Sequence, residues 1–271
     1  MIDTVLTRFG FARMPFGRDL PPSRLHRHAD CGEAAARIAW AVSDKTIAMI
    51  TGEVGTGKTV AIRTAVADLD PAAHTIIYIG NPATGVRGIL AHVVTALGGR
   101  PVHGTAALAV QAWTVLAGEA AERGRTPVLI IDEAHLLGHD QLESIRMMTN
   151  HDMDSSTPFA TILVGQPTLR HSVKLGVLAA LEQRITVRYQ MKGMTPDETA
   201  SYIRHHLGQA GRTTELFTDD AVAQIHQAAR GKPRTVNNIC TAALIATAGA
   251  GKNLVDQASA RAAIAEVTAT S

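Results

Sequence analysis

Cysteine is nearly absent from this chain, and aromatic residues are few. The two cysteines, Cys31 and Cys240, lie far apart in the sequence and form no C-x-x-C pattern. This arrangement favours two reduced thiols in a cytosolic protein over a disulfide framework. Aromatic residues make up only 4% of the 271 residues. The composition therefore favours helix-rich packing with small side chains at the contacts.

Long hydrophobic runs are also missing. No apolar stretch approaches the roughly 18 residues that a membrane span requires. No long apolar segment follows the N-terminal arginines Arg8, Arg13 and Arg18, as it would in a signal peptide. The sequence thus predicts a cytoplasmic protein with no membrane partner. Hydrophobic residues still make up 46% of the chain, which excludes wholesale disorder, and the net charge of +2 is only weak evidence for a nucleic-acid partner.

The chain has twelve histidines, but their spacing does not indicate a metal site. The pairs His26-x-His28 and His205-His206 lack a third ligand at a fitting distance in the sequence. Exposed or capping histidines account for them better. Two others, His135 and His139, follow a predicted strand and receive no assigned role.

One glycine-rich stretch fits the phosphate-binding pattern G-x-x-x-x-G-K-[ST] without a mismatch. It consists of Gly52, Glu53, Val54, Gly55, Thr56, Gly57, Lys58 and Thr59. The glycines let backbone N–H groups approach phosphates, Lys58 supplies a charge for the β- and γ-phosphates, and the Thr59 hydroxyl ligates Mg²⁺. A predicted strand at 47–50 precedes this glycine-rich loop, and a predicted helix begins at Val60, which is the last cofactor-binding residue predicted in this segment. Together they predict binding of ATP with Mg²⁺.

A second part of an ATPase site follows another apolar run, at 128–131, where Asp132 and Glu133 come next in the sequence. A buried parallel strand delivers such carboxylates at its C-terminal end, beside the glycine-rich loop. We expect Asp132 to hold Mg²⁺ and Glu133 to act as the general base on the attacking water. Gln166 follows the predicted strand 159–164 and can contact the γ-phosphate or the water.

The predicted elements change character along the chain. Five strands, at 47–50, 74–79, 128–131, 159–164 and 185–189, alternate with helices, one of which is predicted at 169–181. A polar loop at 151–158 precedes the fourth strand. After Gly193 only helices are predicted; the first is capped by Thr195. The pattern predicts an α/β fold in which a five-stranded parallel sheet is followed by a small helical lid domain.

Three domains follow from these boundaries: an N-terminal arm at 1–32, an ATPase core at 33–193 and a helical lid at 194–271. The arm contains three of the five phenylalanines of the chain, and its prolines and glycines predict an irregular backbone without a long helix. Two interpretations of the arm stay open. It packs on the core through its aromatic side chains, or Phe16 and its neighbours form a wall of the adenine pocket, because adenine prefers apolar and aromatic contacts.

These features together resemble those of the AAA+ ATPases. Within them the sequence resembles the branch that holds the ExeA/GspA-type secretion ATPases and the transposition helper ATPases of the TnsC, TniB and MuB kind. The resemblance spans nearly the full chain. Its motifs are Phe11-x-x-Met14-Pro15-Phe16, Thr51 to Thr59, Leu163-Val-Gly-Gln-Pro-x-Leu169, Leu181-Glu-Gln-Arg-Ile185 and Gly231-Lys-Pro-Arg234.

The resemblance implies roles for two arginines. Arg184 falls where such proteins place an arginine finger, which reaches the γ-phosphate bound by a neighbouring subunit; a surface arginine at a helix end is the alternative. Arg234 matches the second sensor, which contacts the γ-phosphate from the lid; a salt bridge within the lid is the alternative. Gln166 departs from the asparagine that is commonest at the first sensor of AAA+ proteins, but it agrees with the narrower branch.

The resemblance also implies partners. Because the chain ends at Ser271 without the membrane segment usual in the secretion type, we expect a transposition regulator. Such a protein forms a ring or filament on duplex DNA and recruits a transposase, with a target-selection protein as a further partner. The predicted DNA contacts are Asn81, Thr84, Arg87 and Arg100, for which a solvated surface is the alternative. A secretion or protein-remodelling ATPase and a scaffold with negligible turnover remain the competing hypotheses.

Overall fold

The computed structural model describes residues 2–17, 20–150 and 157–269. Most of the loop predicted at 151–158 lies outside them. The α-helices among the described residues are α1 (Ile2–Phe9), α2 (Ala29–Ser43), α3 (Lys58–Asp68), α4 (Gly85–Ala96), α5 (Thr105–Arg123), α6 (His139–Met148), α7 (Thr168–Val173), α8 (Ala179–Arg184), α9 (Pro196–Gln209), α10 (Asp219–Ala229), α11 (Pro233–Gly249) and α12 (Gln257–Ala269). The strands are β1 (Ile47–Gly52), β2 (His74–Ile79), β3 (Thr126–Ile131), β4 (Ala160–Gly165) and β5 (Ile185–Met191).

The chain divides into two compact units. The first, the sheet unit, comprises Gly32–Glu53 and Lys58–Met191. The second, the helical unit, comprises Val54–Gly57 and the described residues of Met1–Cys31 and Lys192–Ser271. Each unit has its own cluster of buried apolar side chains.

The sheet has five strands in the order β2-β3-β4-β1-β5, and every neighbouring pair is parallel. All residues of β1 and β4 are buried, as expected for central strands of a parallel sheet covered on both faces. The edge strand β5 instead alternates between buried and exposed residues along most of its length. The predicted α/β fold with a five-stranded parallel sheet is confirmed.

The strand register brings the predicted site residues to one edge of the sheet. Thr51 of β1 lies opposite Gly165 of β4, and Ile131 of β3 lies opposite Leu163 of β4. Asp132 and Gln166 are therefore the first residues beyond neighbouring strands. Ligands of open parallel sheets bind at this carboxyl edge.

The helical unit joins α9, α10, α11 and α12 to the N-terminal helix α1. Val5 and Phe9 of α1 are buried in the cluster of this unit, together with side chains such as Ile203 and Leu244. The arm was expected to be irregular because of its prolines and glycines. The segment 2–9 contains neither residue type, so its apolar side chains form two helical turns that pack on the unit.

Helix ends follow the local sequence closely in the helical unit. Thr195 caps α9, as predicted: its Oγ1 accepts from the Glu198 amide at 3.2 Å, and the Glu198 carboxylate accepts from the Thr195 amide at 2.8 Å.

In the sheet unit, the helix predicted at 169–181 is instead split into α7 and α8. Gly176 opens a short 3-10 turn between them, because glycine does not favour a continuing helix.

Candidate functional site

The glycine-rich loop connects β1 to α3 and contains two residues in the left-handed backbone region. Gly55 has φ of 84° and Gly57 has φ of 96°. Within the helical unit, a Cβ atom on Gly55 would stand 3.0 Å from the Cβ atom of Arg234. The Arg234 amide donates to the Gly55 carbonyl at 3.3 Å. A side chain at Gly55 would therefore be strained by the backbone conformation and crowded by Arg234.

Lys58 begins α3 and directs its ammonium group back to the loop. Its Nζ atom donates to the carbonyls of Gly52 at 2.9 Å and Glu53 at 3.0 Å. The side chain is only 8% exposed. The charge is therefore held where phosphate oxygens can replace the two carbonyls as acceptors.

The oxygen atoms suited to Mg²⁺ meet at the end of β3. The Thr59 hydroxyl donates to Oδ2 of Asp132 at 3.1 Å, and Oδ1 of Asp132 accepts from the Glu133 amide at 2.9 Å. A hydroxyl and a carboxylate are the ligands that Mg²⁺ prefers, and its other positions are usually filled by water and phosphate. Among the described residues, no group of three or more His, Cys, Asp or Glu side chains forms a metal site by itself. The donor set therefore fits a metal that is bound together with a nucleotide.

Tyr78 of β2 is a site residue that sequence reasoning missed. Its hydroxyl donates to Oδ2 of Asp132 at 3.1 Å. Burial, followed by the nearby Asp132 carboxylate, raises the pKa of Tyr78 to about 12. The hydroxyl thus stays protonated and remains a donor to the carboxylate. A tyrosine one residue before the end of β2 was the available signal.

Glu133 and Gln166, the predicted base and first sensor, both lie beside His135. Glu133 has φ of 52°, and its carboxylate Oε2 is 3.4 Å from Nδ1 of His135. The Nε2 atom of the same ring is 2.9 Å from the side-chain nitrogen of Gln166. After Tyr78, His135 is a second residue of the site to which the sequence gave no role, although it stands only two positions after Glu133.

Arg184 ends α8 within the sheet unit. Its Nη1 atom donates to the Thr149 hydroxyl at 3.1 Å, and its side chain is half-buried. Arg234 is exposed in the first turn of α11, after Pro233. The roles of both arginines stay predictions.

Phe16 lies in the apolar cluster of the helical unit. It is 6% exposed, its ring stacks on His206 with centroids 5.4 Å apart, and it meets Phe217 edge-on at 6.5 Å. These contacts occupy much of its ring. Its predicted contact with adenine stays a prediction.

The four predicted DNA-contacting residues are all exposed. Asn81 accepts the Ala83 amide at 3.1 Å, and Thr84 immediately precedes α4. Arg87 donates to the carbonyl of Val102 at 3.3 Å. The same loop between α4 and α5 contains Arg100, whose carbonyl accepts from a glutamine of α5. The structure therefore places Arg87 against the loop that carries Arg100.

None of the helices among the described residues is both long and apolar enough to cross a membrane.

Comparisons with known proteins agree with this architecture. Residues 41–173 match the family model described as an AAA domain. Over 252 residues, which is 91% of this chain, the sequence is 33% identical to general secretion pathway protein A of Aeromonas hydrophila. The chain spans about half the length of this curated relative, 45%.

Two solved structures of Aeropyrum pernix proteins share the fold. The ADP form of the Aeropyrum pernix ORC2 protein superposes with a TM-score of 0.69 at 16% identity, covering 93% of this chain and 71% of that chain. The Aeropyrum pernix ORC1 protein in complex with DNA superposes with a TM-score of 0.60 at 18% identity, covering 93% and 67%. A glycine-rich loop after β1, an Asp-Glu pair after β3 and these matches lead to one conclusion: the chain has a P-loop AAA+ fold, and its sequence is similar to that of general secretion pathway protein A.

Proposed function

We propose that this chain hydrolyses ATP with Mg²⁺ at the glycine-rich loop. The observation that carries the proposal is the 3.1 Å contact between the Thr59 hydroxyl and the Asp132 carboxylate. It joins the end of the loop to the acidic end of β3 through two oxygen ligands. Bound Mg²⁺ would neutralise charge on the phosphates during hydrolysis.

Each residue of the proposed site then has a separate task. Backbone N–H groups from Gly52 to Val60 and the Lys58 ammonium bind phosphate oxygens. Glu133 accepts a proton from the attacking water. Gln166 positions that water or a γ-phosphate oxygen, and Arg234 contacts the γ-phosphate from the first turn of α11. Arg184 acts on the nucleotide of a neighbouring subunit, which couples hydrolysis to assembly.

The finer proposal is an ATP-dependent regulator of DNA transposition that assembles on duplex DNA and recruits a transposase. Its support is the exposed position of Arg87 and Arg100 on adjoining segments, with Asn81 and Thr84 nearby in the sequence. Such residues suit contacts to the phosphate backbone that are independent of base sequence.

The second candidate is a secretion or protein-remodelling ATPase. The observation that favours it is the 33% identity with general secretion pathway protein A across 91% of this chain. Both candidates require ATP hydrolysis. They differ in the partner, which is duplex DNA in the first and protein or cell wall in the second.

The hydrolysis proposal is tested with three variants and the wild-type protein. Lys58→Ala should lose ATP binding in calorimetry. Glu133→Gln should bind ATP but release phosphate at least about 100-fold more slowly, because a general base contributes about 10²- to 10⁴-fold. Glu122→Gln, an exposed glutamate of α5, serves as the matched control. Equal rates for Glu133→Gln and wild type would show that Glu133 is not the base, and an inactive wild type would favour the scaffold hypothesis.

The DNA proposal is tested by fluorescence anisotropy with duplex DNA at low salt and a non-hydrolysable ATP analogue. The double variant Arg87→Ala/Arg100→Ala should bind more weakly, and its salt dependence should fall by about one phosphate contact per arginine. Arg125→Ala is the control, because this exposed arginine precedes β3 at the opposite edge of the sheet. Absence of nucleotide-dependent DNA binding by the wild type would leave the secretion candidate.

A further inference from the structure

Three side chains from separate segments of the sheet unit form one line at the carboxyl edge of the sheet. Glu133 follows β3, His135 belongs to the 3-10 turn Ala134–Leu136, and Gln166 follows β4. The His135 ring stands between the other two. Its Nδ1 atom is 3.4 Å from Oε2 of Glu133, and its Nε2 atom is 2.9 Å from the side-chain nitrogen of Gln166.

The chemistry of the shorter contact fixes the direction of the hydrogen bonds. The Gln166 amide nitrogen is a donor only, so Nε2 of His135 must be the acceptor and carries no hydrogen. In a neutral ring the hydrogen is then on Nδ1, which faces the Glu133 carboxylate. The backbone amide of Gln166 also approaches Nδ1, at 3.4 Å, but a protonated Nδ1 cannot accept from it. The 2.9 Å contact is the shorter of the two and determines the tautomer.

Packing holds the His135 ring in this position. A Cβ atom on Gly165 would lie 3.0 Å from the His135 amide nitrogen and 3.5 Å from the His135 Cβ atom. Glycine at the end of β4 therefore lets the turn that carries His135 pack directly on the strand. The side chain of His135 is only 13% exposed. Its two polar contacts are thus part of a closely packed arrangement.

We propose that His135 is a positioning residue that couples Gln166 to Glu133 during ATP hydrolysis. Gln166 donates to His135, and His135 donates to Glu133, so the orientation of the base depends on the position of the sensor amide. A Gln166 amide that turns away to another acceptor releases the ring, and Glu133 is then free to reorient. This inference rests on the proposed hydrolysis at this site, in which His135 does not touch the reacting atoms.

The first test measures the tautomer of His135 without relying on activity. Long-range ¹H–¹⁵N spectra of the full-length protein report which ring nitrogen carries the hydrogen, and the His135→Asn spectrum identifies the His135 signals. We expect the Nδ1–H form in the wild type. In Gln166→Ala the donor to Nε2 is gone, so the Nε2–H form should gain population. An Nε2–H ring in the wild type, or an unchanged spectrum in Gln166→Ala, would overturn the proposal.

The second test is a double-mutant cycle on phosphate release. His135→Ala should lower kcat about tenfold with an unchanged KM, a part of the roughly 10²- to 10⁴-fold effect of a general base. Adding Gln166→Ala to His135→Ala should cost less than Gln166→Ala costs in the wild type, because part of the Gln166 effect passes through His135. His135→Asn should recover part of kcat, since its amide can still donate to Glu133. The matched control is His139→Ala, an exposed histidine at the start of α6.

The outcomes separate this proposal from the hydrolysis proposal. A wild-type protein that releases no phosphate would contradict the proposed function, while the tautomer measurement would still stand by itself. An active wild type whose His135→Ala and Gln166→Ala effects simply add would contradict the coupling role of His135. A KM change without a kcat change would assign His135 to nucleotide binding instead.

Discussion

The hydroxyl of Tyr78 donates a 3.1 Å hydrogen bond to Oδ2 of Asp132, the same oxygen that accepts from Thr59. The register of the sheet explains this contact, because Tyr78 of β2 pairs with Ile130, two residues before Asp132. A tyrosine near the end of the edge strand therefore orients the carboxylate at the end of the next strand. Partners of this kind influence metal binding although they are not ligands.

We expect Tyr78→Phe to raise the Mg²⁺ concentration needed for half-maximal ATP hydrolysis about tenfold, because loss of such a partner typically weakens metal affinity by about 10- to 100-fold. The rate at saturating Mg²⁺ should change little. A magnesium titration of phosphate release measures both quantities. Tyr189→Phe is the matched control, since that ring lies on β5 beneath the guanidinium of Arg37. Identical titrations for Tyr78→Phe and wild type would show that the hydrogen bond does not support the metal site.

A second prediction concerns Gly55. Alanine there would adopt a left-handed conformation that costs roughly 1–2 kcal/mol and would crowd Arg234, whose Cβ atom is 3.0 Å from the ideal position. We expect Gly55→Ala to weaken ATP binding at least about tenfold, which corresponds to about 1.4 kcal/mol. Isothermal titration calorimetry measures the affinity. Gly98→Ala has a similar φ, +82°, with no atom within 4 Å, and should bind ATP normally. Equal losses in both variants would contradict a local effect.

The sheet was predictable because its strands are short apolar runs between turn-forming residues. Every residue of β1 is buried, and the run 47–50 was sufficient to indicate a parallel strand. The helix boundaries were harder to predict from the sequence. Prolines and glycines after residue 9 obscured α1, whose stability comes from burial of Val5 and Phe9 rather than from its own sequence.

The site was predictable only where a pattern is local. The loop from Gly52 to Thr59 and the pair Asp132-Glu133 each occupy adjacent positions in the sequence. Tyr78 acts on a residue 54 positions away, and His135 contacts one 31 positions away. These contacts depend on strand register and on the packing of a turn against Gly165, which a single sequence does not display.

A third prediction tests whether Arg184 acts on a neighbouring subunit. Arg184→Ala should lower phosphate release by about 10³-fold, the usual lower range for an arginine finger. Mixing this variant with Glu133→Gln should restore activity beyond the sum of the two. In a mixed oligomer, a subunit with an intact base can then meet a neighbour with an intact Arg184. Arg188→Ala, on β5, should remain active and serves as the control. A mixture that stays inactive would place Arg184 in its own subunit's chemistry or in structural support through Thr149.

The fourth prediction concerns the acid stability of the helical unit. His206 of α9 is 5% exposed, and burial, together with the positive charges of His205, His26 and Arg13, lowers its pKa to about 3. Burial, followed by the nearby His205 and His28 rings, lowers the pKa of His26 to about 4. Both rings stay neutral in the folded protein at pH values where the unfolded chain is already protonated. The stability that they contribute is therefore present above pH 6.5 and is lost as the pH falls towards the folded pKa values.

Urea unfolding followed by circular dichroism at pH 7, 6, 5 and 4 should show this loss. Below about pH 6, His206 alone should lower the free energy of unfolding by about 1.4 kcal/mol per pH unit. His206→Phe keeps an aromatic ring against Phe16 but cannot bind a proton, so the pH dependence should become shallower by about that amount. His92→Phe, an exposed histidine of α4 in the sheet unit, should leave it unchanged. If His206→Phe and wild type lose stability in parallel between pH 6 and 4, the buried ring of His206 does not govern the acid response, and carboxylates elsewhere in the chain must do so.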